Sequence, residues 1–274
     1  MIRRYPASIL SLFSSFWAHR QLVWQLTKRD VIGRYRGSLL GIAWSFFNPI
    51  LMLGVYTFVF SVVFPSRWTG EGQSSKVDFA IILFSGMIVH GLFSECVNRA
   101  PGLVLANTNY VKRVVFPLEI LPWVAMGSAL FHAMVSLIVL VSAFFLSNRY
   151  VPWTALLFPL IIAPLVLVTM GLAWFLAATG VFVRDIGQTT AVITSVLLFL
   201  SPVFFPSSNL PQKYKVLMWI SPLTFIIEQG RNVLIWGALP DWSGWTIYCV
   251  VSVLVAWLGF WWFQRTRRGF ADVV

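Results

Sequence analysis

Long apolar runs with almost no charged residue constrain this sequence more than any other feature. An α-helix of about 20 residues crosses a ~30 Å hydrocarbon core, and five runs reach that length while a sixth is shorter. We predict six transmembrane helices at about 39–64, 79–95, 119–147, 153–183, 186–205 and 242–264. Charged residues make up 11% of the 274 residues, against about 25% in soluble domains. The sequence therefore predicts an all-α integral membrane protein, with residues 39–265 forming its transmembrane domain.

Basic residues lie mostly between the apolar runs and give the chain a net charge of +11. If the N-terminus is inside, the segments on that side carry fourteen of the twenty Lys and Arg residues. Cytoplasmic loops collect such residues during insertion, and anionic headgroups attract them. We therefore expect a multi-pass protein with both termini in the cytoplasm. Membrane lipids, and no nucleic acid, are the expected neighbours of the basic residues.

The N-terminal segment, residues 1–38, is predicted to be an amphipathic helix in the cytoplasmic interface. Its apolar residues recur at helical spacing at Ile9, Leu12, Phe13 and Phe16. Trp17 and Trp24 belong to the amphipathic aromatic type that prefers headgroup depth. A soluble cytoplasmic tail is the alternative for this segment. At the other end of the chain, residues 266–274 are predicted to be a cytoplasmic tail.

The stretch between the fifth and sixth predicted spans contains apolar pieces that are too short to cross a membrane. Proline and glycine residues, among them Pro222, interrupt these pieces. We predict re-entrant helices at about 212–240. Glu228 and Arg231 lie three residues apart and so share one helical face. An ionisable group at membrane depth is usually functional or paired, so Glu228 has a functional role or neutralises Arg231.

Several short motifs follow one another along the chain in a fixed order. They comprise Arg34, Tyr35, Ser38, Leu39, Gly41, Trp44 and Pro49, then Gly86, then Asn107, Tyr110 to Val114, Phe116, Pro117, Glu119, Leu121 and Pro122, then Arg184 to Gln188, then Ser201 to Phe205, and finally Ser221 to Thr224 with Glu228, Gly230 and Arg231. In this order and spacing they resemble the ABC-2 type permeases that export O-antigen, capsule and teichoic acid precursors. The resemblance covers nearly the whole chain.

The resemblance implies a half-transporter of the bacterial inner membrane that moves lipid-linked polysaccharide, O-antigen or capsular polysaccharide, and works with a second copy of itself. Two copies of a separate ATPase subunit would bind ATP and Mg, with periplasmic export components as further candidate partners. No cofactor is expected in this chain. The sequence agrees on one point, because it has no Gly-x-x-x-x-Gly-Lys-Ser/Thr loop to bind the phosphates of ATP.

By the same resemblance, two segments on the cytoplasmic side would contact the ATPase. The residues assigned to this coupling are Asn107, Tyr110, Lys112, Arg113, Phe116, Arg184 and Asp185. A short helix here would transmit rigid-body motion, whereas a loose loop would absorb it. The alternative for Lys112 and Arg113 is that they only anchor the loop to lipid phosphate.

The first predicted span has scattered polar and aromatic residues that suit a translocation path. These residues are Trp44, Asn48, Tyr56, Thr57 and Ser61. A polymer must be bound loosely at many points, since tight binding at one point would stop its movement. Packing inside the bundle is the alternative role for each of these residues.

Other functional classes find less support in the residues. An ABC-2 exporter of a drug or small lipid would share the fold. An ion-coupled secondary transporter would need ionisable groups deep in the spans, where the sequence offers His132 and His90, which we interpret as hydrogen-bonded packing residues. An enzyme would need clustered acids, bases or metal ligands, and the nine acidic residues are scattered. We predict neither a catalytic nor a metal site, and no disulfide between Cys96 and Cys249.

Overall fold

Helices form the regular structure of the computed structural model, which describes residues 8–59, 76–111, 116–205, 213, 218 and 221–273. No β-strand occurs in these ranges. Five helical stretches among them are long and apolar enough to cross a membrane: Gly41–Phe58, Phe79–Gly102, Leu118–Asn148, Trp153–Phe182 and Trp242–Val273. The predicted all-α membrane class is therefore confirmed, and these five stretches coincide with five of the six predicted spans. The remaining predicted span corresponds to a shorter apolar helix, Ile186–Leu200.

The helices are numbered here in chain order. They are α1 (Ile9–Ala18), α2 (Arg20–Arg34), α3 (Trp44–Phe58), α4 (Lys76–Arg99), α5 (Thr108–Val111), α6 (Leu121–Asn148), α7 (Phe158–Phe182), α8 (Ile186–Leu200), α9 (Thr224–Arg231), α10 (Trp242–Thr266) and α11 (Phe270–Val273). Short 3₁₀ turns precede α3, α6 and α7, and a five-residue π-helical turn, Asn232–Trp236, follows α9.

The two ends of the helical bundle are formed by different helices and turns. At one end, called the base here, α1 packs near α10 and near the turn Leu118–Ile120, and α11 packs on the last part of α7. The turn Ala100–Gly102, which follows α4, also contacts α7 at this end. At the opposite end, called the top, the turn Trp153–Leu157 packs on the π-helical turn after α9, where Thr154 donates a hydrogen bond to the Val233 carbonyl at 2.7 Å.

Two glycines allow α7 and α10 to pack with their backbones in contact. A Cβ atom at Gly171 of α7 would overlap the Val255 carbonyl, and a Cβ atom at Gly259 of α10 would overlap the Gly171 carbonyl. Small residues permit such approach between membrane helices, where packing drives association. Trp174 and Phe260 fill the space beside this contact, both fully buried with ring centroids 5.2 Å apart. Close packing therefore joins these two helices.

The N-terminal segment forms two helices, because the chain breaks at His19 between α1 and α2. The His19 amide donates to carbonyls of α1, which closes that helix. The buried side of α2 consists of Val23, Leu26, Thr27 and Val31, at helical spacing on one face, and it packs against α6. Trp17 and Trp24 remain exposed. The segment is therefore helical as predicted, but its apolar side largely faces the protein.

The second span is longer than the sequence predicted, since α4 continues to Arg99. No proline or glycine lies between residue 95 and Pro101, so nothing in the sequence ends the helix at residue 95. Glu95 therefore lies inside the span rather than at its end. The first span begins at Gly41, whose φ of +53° favours glycine, and residues 60–64 of its predicted range lie outside the described residues. Cys96 and Cys249 are both free, as expected.

Candidate functional site

At the base, Glu119 links four parts of the chain. Its carboxylate accepts hydrogen bonds from Arg267, beyond α10, and from Ser15 of α1. Its backbone carbonyl accepts from the Trp174 indole of α7 at 3.0 Å. Arg267 also donates to the Phe116 carbonyl at 2.9 Å. These bonds join the two ends of the chain to the segment before α6, so that the base forms one connected layer.

The predicted coupling residues Tyr110 and Phe116 lie together at this base. Their rings stack with centroids 4.2 Å apart and an angle of 9° between the planes. Arg29 of α2 donates a hydrogen bond to the Tyr110 hydroxyl at 3.1 Å. Asn107 donates to the Leu103 carbonyl at 2.8 Å and stabilises the turn before α5. The remaining residues predicted in this segment, Lys112 and Arg113, lie outside the described residues.

The predicted coupling residues Arg184 and Asp185 form the exposed turn between α7 and α8. The Asp185 carbonyl accepts from the backbone amides of Gln188 and Thr189, which begins α8. One turn earlier, α7 meets the segment that follows α4. A Cβ atom at Gly180 would overlap the Pro101 carbonyl. The two segments of predicted coupling residues are therefore connected through a backbone contact that only glycine permits.

A second polar contact attaches α2 to α4 and α6. The Asp30 carboxylate accepts from Arg99 at 2.8 Å and from Ser128 at 2.6 Å. Burial on its own would raise the pKa of Asp30, but the hydrogen bonds from Arg99 and Ser128 outweigh it and hold the pKa below its ordinary value. Asp30 is therefore a carboxylate held in its charged form by two partners on different helices.

The predicted path residues of α3 divide into two groups. Asn48 and Tyr56 line a cavity between α3, α4 and α6. Thr57 instead donates back to the Leu53 carbonyl of its own helix at 2.8 Å, and Trp44 packs edge-on against Phe47. Ser61 lies outside the described residues. The structure thus brings together two of the five predicted path residues.

A cluster of polar and ionisable side chains lies at the end of this cavity nearest the base. Glu95 of α4 accepts from Arg34 at 2.6 Å, and both of its oxygens lie 3.0 Å from His132 Nδ1. His132 Nε2 lies 3.1 Å from the Tyr35 hydroxyl. The two ring nitrogens of His132 thus face different partners, a carboxylate at Nδ1 and a phenol hydroxyl at Nε2. Sequence reasoning missed the cluster because it ended the second span at about residue 95.

The predicted re-entrant residue Arg231 is 2% exposed and bonded to three backbone carbonyls. Its guanidinium donates to Ile82 at 3.1 Å, to Pro202 at 2.5 Å and to Val203 at 3.0 Å. Arg231 therefore clamps α9, the turn after α8, and the top of α4 together. The guanidinium suits this role because its N–H donors lie in one plane and point in fixed directions. The sequence had suggested only Glu228 as the partner of Arg231, because carbonyl ligands leave no signal in a sequence.

The other two predicted re-entrant residues lie beside this clamp. The Pro222 carbonyl accepts from the Tyr248 hydroxyl of α10 at 2.6 Å. Glu228 is half-buried on α9, one turn before Arg231. Ser221 bonds Ser201 at 2.7 Å, so the two serines that begin their motifs meet in space. The described part of the region from 201 to 231 is thus held by hydrogen bonds between distant segments.

Comparison of the sequence with known proteins identifies its family. The ABC-2 type transporter family matches residues 21–235. The O-antigen export system permease protein RfbA of Myxococcus xanthus is 24% identical over 268 residues, which cover 97% of this chain and 100% of that protein. RfbA of Klebsiella pneumoniae is 22% identical, with 91% and 93% covered. The polysialic acid transport protein KpsM of Escherichia coli is 22% identical, with 83% and 86% covered. The chain belongs to the ABC-2 type transporter family.

Proposed function

We propose that this chain is the membrane-spanning permease subunit of an ATP-driven exporter that moves lipid-linked polysaccharide across the bacterial inner membrane. The observation that carries the proposal is the similarity to an O-antigen export permease over the whole length of that relative. The polysaccharide is of the O-antigen or capsular type, as the names of the relatives suggest. The energy comes from ATP hydrolysed by two copies of a partner ATPase.

The proposed topology has six crossings, with α8 as the fifth. Its 15 residues are short for a full crossing, but two contacts with α4 support the path. His90 of α4 lies 2.9 Å from the Thr194 carbonyl, and Gly86, one turn closer to the top, lies against Val203. Six crossings put both termini on one side, and the basic residues favour the cytoplasm. The segment around α9 is then re-entrant from the periplasmic side.

The base is the proposed docking surface for the ATPase. Its candidate contacts are the Tyr110–Phe116 stack with the neighbouring Lys112 and Arg113, together with the exposed turn at Arg184 and Asp185. The support is that one connected set of hydrogen bonds and backbone contacts joins these segments to α2, α7 and α10. A push on such a layer would move several helices together, as a rigid body does.

The permease is proposed to work as a homodimer. Both α3 and α8 pack on α4 but leave most of their own surface uncovered within one chain. Large exposed apolar residues follow both helices, including Phe47 and Val55 on α3 and Val196 and Phe199 on α8. A second copy would cover these faces, and the translocation path would run beside α3.

Deletion of the gene tests the substrate. We expect polymer to accumulate inside the deletion strain and to reappear at the surface when the full chain is restored. A deletion strain with its normal surface polysaccharide would exclude the proposed substrate and favour a drug or small-lipid exporter.

The energy source is tested with the purified chain and its ATPase in vesicles. We expect movement of lipid-linked polymer to require ATP and to stop when ATP is replaced by an analogue that cannot be hydrolysed. Transport driven by an ion gradient without ATP would contradict the proposal and favour a secondary transporter.

A further inference from the structure

The cavity between α3, α4 and α6 has features of a built binding site. Its volume is about 190 Å³, far more than the ~10–15 Å³ that one water needs. Apolar side chains, including Met52, Phe84 and Met87, form its walls, and Gly91, Ala129 and Ala133 leave room for an occupant. Glu95 and His132 lie at the end nearest the base. The cavity is therefore amphipathic, with polar groups at defined positions on apolar walls.

Three polar side chains in this cavity have no hydrogen-bond partner among the described residues. The Asn48 amide, the Tyr56 hydroxyl and the Ser136 hydroxyl line it, and no hydrogen bond joins any of them to another side chain or carbonyl in the described part of the chain. All three lie inside membrane spans. Polar groups in the hydrocarbon region need a partner because lipid tails offer none. Asn48 is exposed and Tyr56 and Ser136 are partly buried, so an occupant of the cavity that supplies hydrogen bonds would satisfy all three, which an acyl chain cannot do.

The charge of the site limits the chemistry of its occupant. Arg34 neutralises Glu95, and the imidazole of His132 is held between Glu95 and Tyr35. Each carboxylate oxygen has more than one acceptor position, so Glu95 can still accept from a ligand hydroxyl. Because Arg34 and Glu95 compensate each other, this ion pair offers no unpaired cation to attract an anionic ligand. A neutral group with several hydroxyls therefore fits better than a phosphate or an acidic sugar.

From these observations we infer that the cavity binds one neutral sugar ring of the polymer. Hydroxyls at the ring edge would donate to Glu95 and bond Asn48, Tyr56 and Ser136, while an apolar ring face would pack on Phe84 and the methionines. The inference rests on the proposed function, since it assigns a contact for the substrate that the permease would move. It also gives a role to three side chains that have no partner in the part of the chain that the structure describes.

Thiol protection tests this site directly. A Ser136→Cys variant is made in a Cys249→Ser background, because Cys249 is partly exposed while Cys96 is buried. The full chain with its ATPase is placed in nanodiscs and labelled with methyl methanethiosulfonate, which is small and neutral. Neutral methyl glycosides are expected to slow the labelling several-fold, and inorganic phosphate is expected to have no effect. Asn48→Cys serves as a second reporter if Ser136→Cys does not fold.

A control uses Gly54→Cys, which lies on α3 with Asn48 but outside the cavity, with open space around it. Its labelling should not change with glycoside. In addition, Glu95→Gln should weaken the protection of Ser136→Cys. Equal slowing at both positions, or no slowing at either reporter in the cavity, would overturn the inference and indicate a water-filled cavity.

The outcome also separates this inference from the proposed function. If polymer accumulates inside the deletion strain but no glycoside protects the thiol, the proposed export function stands and the proposed sugar site is wrong. If glycosides protect the thiol while the deletion strain shows its normal surface polysaccharide, the site stands and the export function is wrong.

Discussion

Helix α3 and the helix pair α7–α10 are held in the bundle by different forces. Glycines bring the backbones of α7 and α10 together, and fully buried aromatic rings fill the space beside them. In contrast, only 6% of the Gly41–Phe58 span is buried in this chain. Its entry segment is attached through Arg34 and Tyr35, which bond Glu95 and His132. The difference shows that the α7–α10 pair is held by close backbone packing. Helix α3, by contrast, is little buried and depends on a few polar bonds at its start, so it can shift when those bonds change.

Filling the α7–α10 contact should have the largest effect. A methyl group at Gly259 would overlap backbone atoms of Gly171, so Gly259→Ala must push the helices apart and should cost about 3 kcal/mol of stability. The matched control is Gly54→Ala on α3, which has open space around it and should change stability by less than ~1 kcal/mol. Thermal unfolding in detergent measures both. Equal losses in the two variants would break the comparison.

Removing the Arg231 clamp should have the next largest effect. Arg231→Met removes the donor from the Pro202 and Val203 carbonyls, while the Ile82 carbonyl keeps the Ser85 hydroxyl. Each unsatisfied group costs about 1 kcal/mol or more, so we expect a stability loss of ~2–3 kcal/mol. The stability of Arg231→Lys should lie between that of Arg231→Met and that of the wild type, because one ammonium cannot match the three positions of the guanidinium. Unfolding midpoints give the ranking. A wild-type midpoint for Arg231→Met would show that the top is fixed by packing alone.

A smaller and local effect is expected at Glu95. Glu95→Gln keeps the size of the side chain but loses the charge that binds Arg34 and His132. We expect the attachment of the α3 entry segment to weaken by about 1–2 kcal/mol. Hydrogen exchange should rise in residues 35–58 and stay unchanged in α7 and α10. Asp272→Asn, on the exposed C-terminal turn, is the control and should alter neither region. Faster exchange throughout the bundle would contradict the view that polar bonds at the base hold α3 separately.

The smallest effect concerns pH and the attachment of α2. Because the folded-state pKa of Asp30 is lowered by its partners, the unfolded chain takes up the proton first as the pH falls. The stabilisation is thus complete above the ordinary value of 3.8 and is lost as the pH falls through the lower folded-state value. The gap between the unfolding midpoints of wild type and Asp30→Asn should therefore close on acidification. If the difference between the two midpoints stays constant with pH, the charge of Asp30 does not contribute and only the packing of its side chain does.

Much of the fold could be predicted because lipid imposes a simple length and composition rule. The five long spans follow from uncharged runs, and the family resemblance rests on short motifs in a fixed order, within a family match over residues 21–235. The end of α4 could have been predicted better, since Pro101 is its first clear breaker. The motifs at Ser201 and Ser221 gave no hint that the two serines bond to each other.

The candidate site was less predictable because it depends on contacts between distant residues. Glu95 and His132 are 37 positions apart, and Arg34 is farther still along the chain. The three carbonyls that bind Arg231 belong to residues of any type, so no residue pattern marks them. Gly171 and Gly259 are ordinary glycines in apolar runs until two helices are seen to cross there.

The contact between Gly180 and Pro101 has a practical consequence for chimeric transporters. A loop transplanted from a relative into positions 100–116 would bring its own backbone path against α7. If that path differed, the host helix would need a different residue at position 180 or a different crossing. Exchanges that carry the loop together with the end of α7 should give working hybrids more often than exchanges of the loop alone. For this chain, Pro101 and Gly180 thus belong in the same exchanged unit.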